Sequence, residues 1–309
     1  MLRFFARKLS LGIEITSSGI RIVVVSHRGA DISVLVTKMA ELPVNMVNDT
    51  YASPNICDVD GFSAVLRECL ANVPASHLRR AALSLPDSVF RVQTLEFDEL
   101  PKKTEDRERL IRWRLEKAAA FDITDTVLRY QVLRRQDKGM TVLACVSKRA
   151  VIAQYESILL GMGIEPWSVG LSSFYALNLY SSFIAGKSAV SALAHITDDS
   201  FATIITEAGG ARFYRYKEIK RGGAEEIKTR FIREIDDSLH FYAHMDRAQQ
   251  SEVKGLYLTG EPAILGNLAE GLKSLTSLDV AVLSPDVVIP SAQGIGAEMA
   301  AALGAGSSL

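Results

Sequence analysis

LGIEITSSGIRIVVVS, residues 11–26, decides the fold of this chain, because it predicts a strand, a short turn and a second strand. Apolar residues flank the hydroxyl-rich turn at 16–18, and Gly19 opens the second strand. A further strand at 31–38 follows the turn at 29–31. The chain is therefore predicted to begin with an antiparallel meander of three strands.

The same meander is predicted again near the middle of the chain, with strands at 189–196, 200–207 and 211–218. A length of 309 residues is about twice that of a common domain, and 48% apolar residues can fill a sizeable core. We therefore expect two lobes, a first at 1–185 and a second at 186–309.

Segment 80–147 is predicted to form a subdomain inserted in the first lobe. It contains a predicted helix at 104–119, for which Thr104 is the expected N-cap. Strands are predicted before this helix at 81–86 and 89–97 and after it at 127–135 and 140–147, so the segment is expected to be strand, strand, helix, strand, strand. The other predicted elements are a helix capped by Asp60, helices at 148–162, 171–185, 223–244, 262–274 and 293–304, and a buried strand at 255–260.

Charge and cysteine content exclude several classes of protein. Lys plus Arg and Asp plus Glu nearly cancel, at 35 against 36, so no overall charge attracts nucleic acid. The longest apolar runs are far shorter than the ~20 residues that cross a bilayer, and no signal-peptide core follows the start. Three cysteines without paired metal spacing fit a reducing compartment. We expect a cytoplasmic protein without a metal site.

Two basic segments each allow two interpretations. Met1 to Lys8 place Phe4 and Phe5 beside basic residues, which suits either peripheral contact with a membrane or packing on the domain. Four arginines of the predicted helix at 104–119 could meet a partner or anionic lipid, or could form ion pairs on a solvated helix. These arginines are Arg107, Arg109, Arg112 and Arg114.

The hairpin at 11–26 resembles the first phosphate-binding hairpin of the actin, hexokinase and Hsp70 type of ATPase. In those proteins an aspartate holds hydrated magnesium, and a glycine lets backbone N–H groups close on the phosphates. Glu14 and Thr16 stand at these two places. The glutamate reaches one methylene further, and the threonine side chain enters a space that glycine leaves open.

Along essentially its whole length the chain resembles the actin-like PilM family of type IV pilus assembly proteins, which has relatives in type II secretion and mannose-sensitive pilus systems. Four segments carry the resemblance: the start with LGIEITSS at 11–18, SLP at 84–86, RLEKAAAF at 114–121 leading to LRYQVL at 128–133, and LYLTG at 256–260. It implies an α/β, actin-like (ribonuclease H-like) fold of two lobes. A subdomain is inserted in the first lobe, and the small subdomain of the second is reduced or absent.

The resemblance also implies a partner and a place in the cell. Such proteins lie at the inner face of the inner membrane and connect the membrane platform to the assembly motor. They receive the short cytoplasmic N-terminal tail of a bitopic PilN-like protein in a groove between the first lobe and the inserted subdomain. An extended apolar peptide could bind there through backbone hydrogen bonds and side-chain pockets. The candidate contact residues are Leu85, Pro86, Trp113, Phe121 and Tyr130.

Further departures from the family argue against ATP as a cofactor and against ATPase activity. His195 and Thr197 replace the aspartate and glycine of the second phosphate hairpin, and Gly260-Glu261-Pro262 replaces the run of glycines at the adenosine-side turn. Little more than one helix fits between 223 and 256, where family members usually have a wall of the nucleotide cleft. If ATP with magnesium were bound, its candidate contacts would be Glu14, Thr16, Ser17, Ser18, Thr197, Asp198, Thr259 and Gly260.

The leading prediction is therefore a non-catalytic cytoplasmic scaffold of a type IV pilus or related secretion platform. Two other functions are kept as alternatives to it. One is a nucleotide-gated ATP-binding protein or slow ATPase, and the other is a filament-forming or dimeric relative of the cell-division protein FtsA.

Asp236, His240 and His244 have a helical spacing that could present metal ligands, but no further partner is evident. His195 has no recognisable nucleophile beside it. These residues are therefore expected to pack or to lie at a helix surface.

Overall fold

The computed structural model describes residues 8–29, 31–74, 79–118, 121–136, 139–219, 222–245 and 252–308. The strands of these residues are β1 (Lys8–Ile15), β2 (Gly19–Arg28), β3 (Asp31–Glu41), β4 (Arg80–Leu85), β5 (Arg91–Phe97), β6 (Thr126–Gln136), β7 (Gly139–Lys148), β8 (Glu165–Leu171), β9 (Val190–Ile196), β10 (Ser200–Glu207), β11 (Gly210–Glu218), β12 (Gly255–Gly260) and β13 (Asp279–Val282). The α-helices are α1 (Val59–Leu70), α2 (Thr104–Ala118), α3 (Arg149–Gly161), α4 (Ser172–Ala185), α5 (Ala224–Met245), α6 (Pro262–Leu275) and α7 (Ala300–Ser307).

Two five-stranded sheets share one topology. The first sheet has the order β3-β2-β1-β4-β8 and the second has the order β11-β10-β9-β12-β13. In each sheet the three strands that come first in sequence form an antiparallel meander. The two later strands of the sheet add to it in parallel. This repetition confirms the predicted actin-like α/β architecture.

The inserted subdomain is a three-stranded antiparallel sheet, β5-β7-β6, which we call the third sheet. The helix α2 packs on it through Ile111 and Leu115, both of which are fully buried. The strand β4 lies inside the range 80–147 but pairs in parallel with β1 of the first sheet. The predicted division at residue 185 stays a prediction.

The inner strands β2 and β4 of the first sheet are covered on both faces, which explains their runs of buried apolar residues, whereas β3 at the edge is largely exposed. Ile22 and Val24 of β2 pack in the core that contains α1 and α3, whereas Val23 and Val25 pack against α7 on the other face. The α7 backbone approaches β1 so closely that a Cβ atom on Gly12 would lie 2.1 Å from the Ala302 carbonyl oxygen. Only glycine fits at this contact.

The structure corrects several predicted details. The strands β8 and β13 were not predicted. Pro166 and Gly170 are disfavoured inside strands and argued against β8, and β13 has only four residues. Asp58, not Asp60, caps α1, since its side chain accepts a hydrogen bond from the Gly61 N–H. Thr104 is the first residue inside α2 rather than its cap.

Near the end of the chain, the predicted helix at 293–304 is instead a series of short segments. Single 3-10 turns at Pro290–Ala292 and Ala297–Met299 precede α7. Met1 to residue 7 lie outside the described residues, so the predicted membrane contact of that segment is not addressed. No helix within the described part of the chain is long and apolar enough to span a membrane.

The second lobe has a single long helix where a small subdomain would otherwise stand. The helix α5 ends at Met245 and β12 begins at Gly255, so only residues 246–254 connect them. The connection is too short for a full small subdomain, in agreement with the predicted reduced or absent one.

Candidate functional site

Two hairpin turns with the same internal bonding occupy equivalent places in the two sheets. In the turn between β1 and β2, the Thr16 N–H donates to the Gly19 carbonyl oxygen at 2.9 Å, and the Gly19 N–H donates to Thr16 Oγ1 at 3.0 Å. In the turn between β9 and β10, the Thr197 N–H donates to the Ser200 carbonyl oxygen at 2.9 Å. The Thr197 and Ser200 hydroxyl oxygens are 2.7 Å apart. Each threonine therefore serves its own turn.

The two turns meet across the space between the lobes. The Ser18 hydroxyl donates to Asp198 Oδ2 at 3.1 Å, and Ser17 lines the same space. The remaining cavity between the turns has a volume of about 30 Å³. It holds about two water molecules by the usual minimum volume for a buried water.

Carboxylates surround this cavity. Asp49, Asp87, Asp198 and Asp199 line it, and the described lining contains no lysine or arginine. Because these side chains carry or can carry negative charge, the cavity repels a polyanion. The lining also contains His195. Burial and the nearby Arg21 lower the pKa of His195 to about 4, so this side chain is neutral.

Arg21 lies between carboxylates of the two lobes. Its Nη1 atom is 3.5 Å from Glu14 Oε2, and its Nη2 atom is 3.5 Å from Glu261 Oε2. Glu14 is 1% exposed, and burial raises its pKa to about 7 although Arg21 opposes the shift. A second small cavity beside this cluster, of about 20 Å³, is also lined by Glu298. Glu14 thus has an arginine of its own chain as its cation.

The turn after β12 approaches the second hairpin closely. Gly260 has a φ of +117°, and a Cβ atom there would lie 1.9 Å from the Ile196 carbonyl oxygen. The neighbouring Thr259 is fully buried, with its hydroxyl 3.4 Å from the Ala297 carbonyl oxygen. The backbone of the second hairpin therefore packs directly against Gly260, the single glycine of this turn.

Asp87 joins three parts of the molecule at the inner end of the cleft. It lies just after β4 and accepts a hydrogen bond from the Ser173 N–H at 3.1 Å, one from the Ser173 hydroxyl, and one from the Tyr214 hydroxyl at 2.8 Å. Ser173 is the second residue of α4, so the N-terminus of this helix faces the carboxylate. Burial raises the pKa of Asp87, and these hydrogen bonds oppose that shift.

A groove lies between the first sheet and the third sheet. It has a volume of about 460 Å³ and runs beside β8, which is the outermost strand of the first sheet. Arg129 and Glu156 are its charged residues. The apolar residues of its walls include Phe90, Val127, Trp167, Val169, Leu171 and Phe174.

Aromatic residues shape two parts of this groove. Trp167 is 55% exposed at its edge, with the Arg80 guanidinium 4.4 Å from the ring centroid and Arg80 Nε donating to Glu165 at 2.8 Å. On the inner wall, the Phe174 ring stacks on Tyr214 with centroids 5.6 Å apart and an interplanar angle of 23°. The groove therefore has an exposed aromatic edge and a supported inner wall.

The five residues predicted to contact a partner lie elsewhere. Leu85 is fully buried in the core of the first sheet, and Pro86 is buried beside the cavity between the turns. Trp113 is 46% exposed on α2, with Lys117 Nζ 4.2 Å from its ring. Phe121 packs edge-on against Tyr51 at 5.8 Å, and the Tyr130 hydroxyl is 3.4 Å from Arg107 Nη1. None of the five lines the groove.

Sequence reasoning missed the residues of β8. Trp167, Val169 and Leu171 alternate along the strand, and this period of two was the signal that could have found it. Their role depends on β8 pairing with β4, which the sequence does not state.

The other candidate clusters have structural explanations. No group of three or more possible ligands within the described residues is arranged to hold a metal ion, and His240 Nδ1 is 3.9 Å from Asp236 Oδ1. Arg112 donates to the Thr126 hydroxyl at 3.0 Å, so this arginine fastens α2 to β6. Arg109 lies 3.7 Å from Asp106 on the helix surface.

Comparison with known proteins gives a fold. No family model matches the chain, and no curated protein matches its sequence. A solved "PilM-PilN type IV pilus biogenesis complex" has a chain that is 17% identical, with a TM-score of 0.81 over 96% of this chain and 97% of that one. The ethanolamine utilization protein EutJ from Carboxydothermus hydrogenoformans is 11% identical, with a TM-score of 0.56 over 99% of this chain and 92% of that one.

A protein from Bacteroides thetaiotaomicron, described as having an actin-like ATPase fold and unknown function, is 12% identical. Its TM-score is 0.54 over 92% of this chain and 95% of that one. At these identities the similarity is one of fold. The chain has the actin-like fold, in a form that follows the chain of the PilM-PilN complex from end to end.

Proposed function

We propose that this protein is a non-catalytic scaffold of a type IV pilus or related secretion platform, and that its groove holds the cytoplasmic N-terminal tail of a PilN-like inner-membrane protein. The observation that carries this proposal is the groove of about 460 Å³ beside β8, in a chain whose fold follows that of a PilM-PilN complex over 96% of its length. The protein would then lie at the inner face of the inner membrane through its partner.

The groove suits an extended peptide. Because β8 is an outermost strand, the backbone groups along its free edge have no neighbouring strand, and an added peptide strand would pair with them. Val127 of β6 and Phe174 of α4 both line the groove. They offer apolar surface to alternate side chains of the peptide. A volume of this size lies within the usual range of ligand sites.

The cleft between the lobes supports a scaffold without a nucleotide. A cavity of about 30 Å³ is far too small for ATP, and its carboxylates repel phosphates. Thr16 and Thr197 direct their hydroxyls into their own turns, and Arg21 provides the cation beside Glu14. These residues do not fit magnesium ATP, and we propose that the protein binds and hydrolyses none.

The test of the proposed function is a calorimetric titration of the full chain with a synthetic peptide. The peptide is the cytoplasmic N-terminal tail of the PilN-like protein encoded by the same organism. We expect saturable binding by the natural chain and loss of binding by Val127→Arg, because the long cationic side chain enters the apolar groove.

The matched control is Trp113→Ala, which removes an exposed side chain from the opposite part of the inserted subdomain. It should bind the peptide as the natural chain does. Unchanged affinity in Val127→Arg with an intact fold, or loss of binding in Trp113→Ala, would place the peptide elsewhere and contradict the groove assignment.

A further inference from the structure

The inner wall of the groove depends on a residue of the second lobe. Phe174, which forms this wall, stacks on Tyr214 at a centroid distance of 5.6 Å. Tyr214 belongs to β11, the outermost strand of the second sheet. The first sheet and the inserted subdomain therefore do not complete the groove by themselves.

The other end of Tyr214 is held at the cleft. Its hydroxyl donates to Asp87 at 2.8 Å, and Asp87 lines the cavity between the two hairpin turns. The carboxylate is buried, so each of its donors matters for keeping it there. One tyrosine thus contacts both the wall of the groove and the floor of the cleft.

Side chains of this chain itself hold the two lobes together at the mouth of the cleft. The Ser18 hydroxyl of the first lobe donates to Asp198 of the second at 3.1 Å. Arg21 of the first lobe pairs with Glu261, at the start of α6 in the second, at 3.5 Å. We call these two contacts the interlobe latch.

We propose that closure of the lobes by the interlobe latch gives the groove its binding-competent shape, with Tyr214 as the positioning residue that carries closure to Phe174. In the closed state Tyr214 contacts Phe174 and Asp87, and in an open state it loses both. Binding in the groove and closure then favour one another by the same factor. This inference rests on the proposed function, since it concerns what controls that same groove.

The experiment compares two perturbed proteins with two matched controls, all as full chains. The double variant Ser18→Ala/Glu261→Gln removes the interlobe latch, and Glu270→Gln changes an exposed glutamate on the same helix. Tyr214→Phe removes the bond to Asp87 but keeps the ring, and Tyr257→Phe removes a hydroxyl from β12 of the same sheet, outside the cleft cavity and the groove. Circular dichroism and the melting temperature establish that each protein is folded.

The first readout needs no peptide. Amide hydrogen exchange is followed at residues 168–174, which span the end of β8 and the start of α4. We expect severalfold faster exchange there in the double variant and in Tyr214→Phe. In both controls the exchange rate should equal that of the natural chain. Natural exchange at these residues in the double variant and in Tyr214→Phe overturns the inference, whether or not any peptide binds.

The second readout is the affinity for the tail peptide described above. The two perturbed proteins should bind it about 5- to 150-fold more weakly, the usual range of coupling between sites, although none of the changed residues lines the groove. Both controls should bind as the natural chain does. Natural affinity in the perturbed proteins also overturns the inference. A natural chain that does not bind the peptide contradicts the proposed function, and the exchange readout then decides the coupling alone.

Discussion

The Arg21 guanidinium lies 3.5 Å from the carboxylate of Glu14, and that carboxylate is almost wholly removed from water. In phosphate-binding hairpins of this type the corresponding carboxylate faces a hydrated metal ion. Here the cation is part of β2, the strand that follows Glu14 in the same hairpin, and needs no ligand to bring it. The positive charge beside Glu14 is therefore supplied by the chain itself.

Glu14 should make stability fall as pH rises through the weakly acidic range. Its pKa is raised from 4.5 to about 7 in the folded protein, so between these values the folded chain holds a proton that the unfolded chain has lost. This difference costs about 3 kcal/mol by pH 7. Urea unfolding from pH 4.5 to 7.5 should show this decline relative to Glu14→Gln. If the free energy of unfolding depends on pH in the same way in both proteins, Glu14 is not a buried carboxyl with a raised pKa.

His195 should act in the opposite direction. Its pKa falls from 6.5 to about 4, so between these values the unfolded chain binds a proton that the folded chain does not. Acidification from pH 6.5 towards 4 therefore removes about 3 kcal/mol of stability from the natural chain. His195→Gln should lack this loss. The NMR signal of His195 is identified by its absence from the spectrum of His195→Gln, and titration of that signal near 6.5 would contradict the prediction.

Gly260→Ala should be strongly destabilising. The residue has a φ of +117°, and the added Cβ would meet the Ile196 carbonyl oxygen at 1.9 Å. We expect a loss of at least about 3 kcal/mol in the free energy of unfolding, since backbone strain and a clash add. Gly266→Ala, in the interior of α6 with open space around it, should instead stabilise by about 0.5–1 kcal/mol. Similar effects of both changes would show that the close approach at Gly260 is absent.

Magnesium ATP should produce neither heat in a titration nor a shift in melting temperature at millimolar concentration. The cleft has room for about two waters and carries four aspartates. A ligand at 100 times its dissociation constant adds about 2.7 kcal/mol of stability, so binding would be plain in the melting curve. Micromolar binding would contradict the scaffold without nucleotide and revive the nucleotide-gated alternative.

Much of the architecture could be predicted because alternating apolar residues record both meanders locally. The two turns with Thr16 and Thr197 were recognised as equivalent for the same reason. β8 was missed although Trp167, Val169 and Leu171 alternate, because Pro166 and Gly170 are disfavoured inside strands, and the residues of β8 that line the groove were missed with it. Relationships such as Ser18 with Asp198, which are 180 residues apart, arise from packing of whole lobes and have no local signal.

The fit of α7 against β1 has a consequence for how the protein is made. Gly12 is covered by a helix that lies far along the sequence and begins at Ala300. Because a ribosome makes the chain from its N-terminus, one face of the first sheet, with Val23 and Val25, cannot be covered until α7 has been synthesised. A chain truncated before Ala300 would expose this apolar face, and we expect it to aggregate.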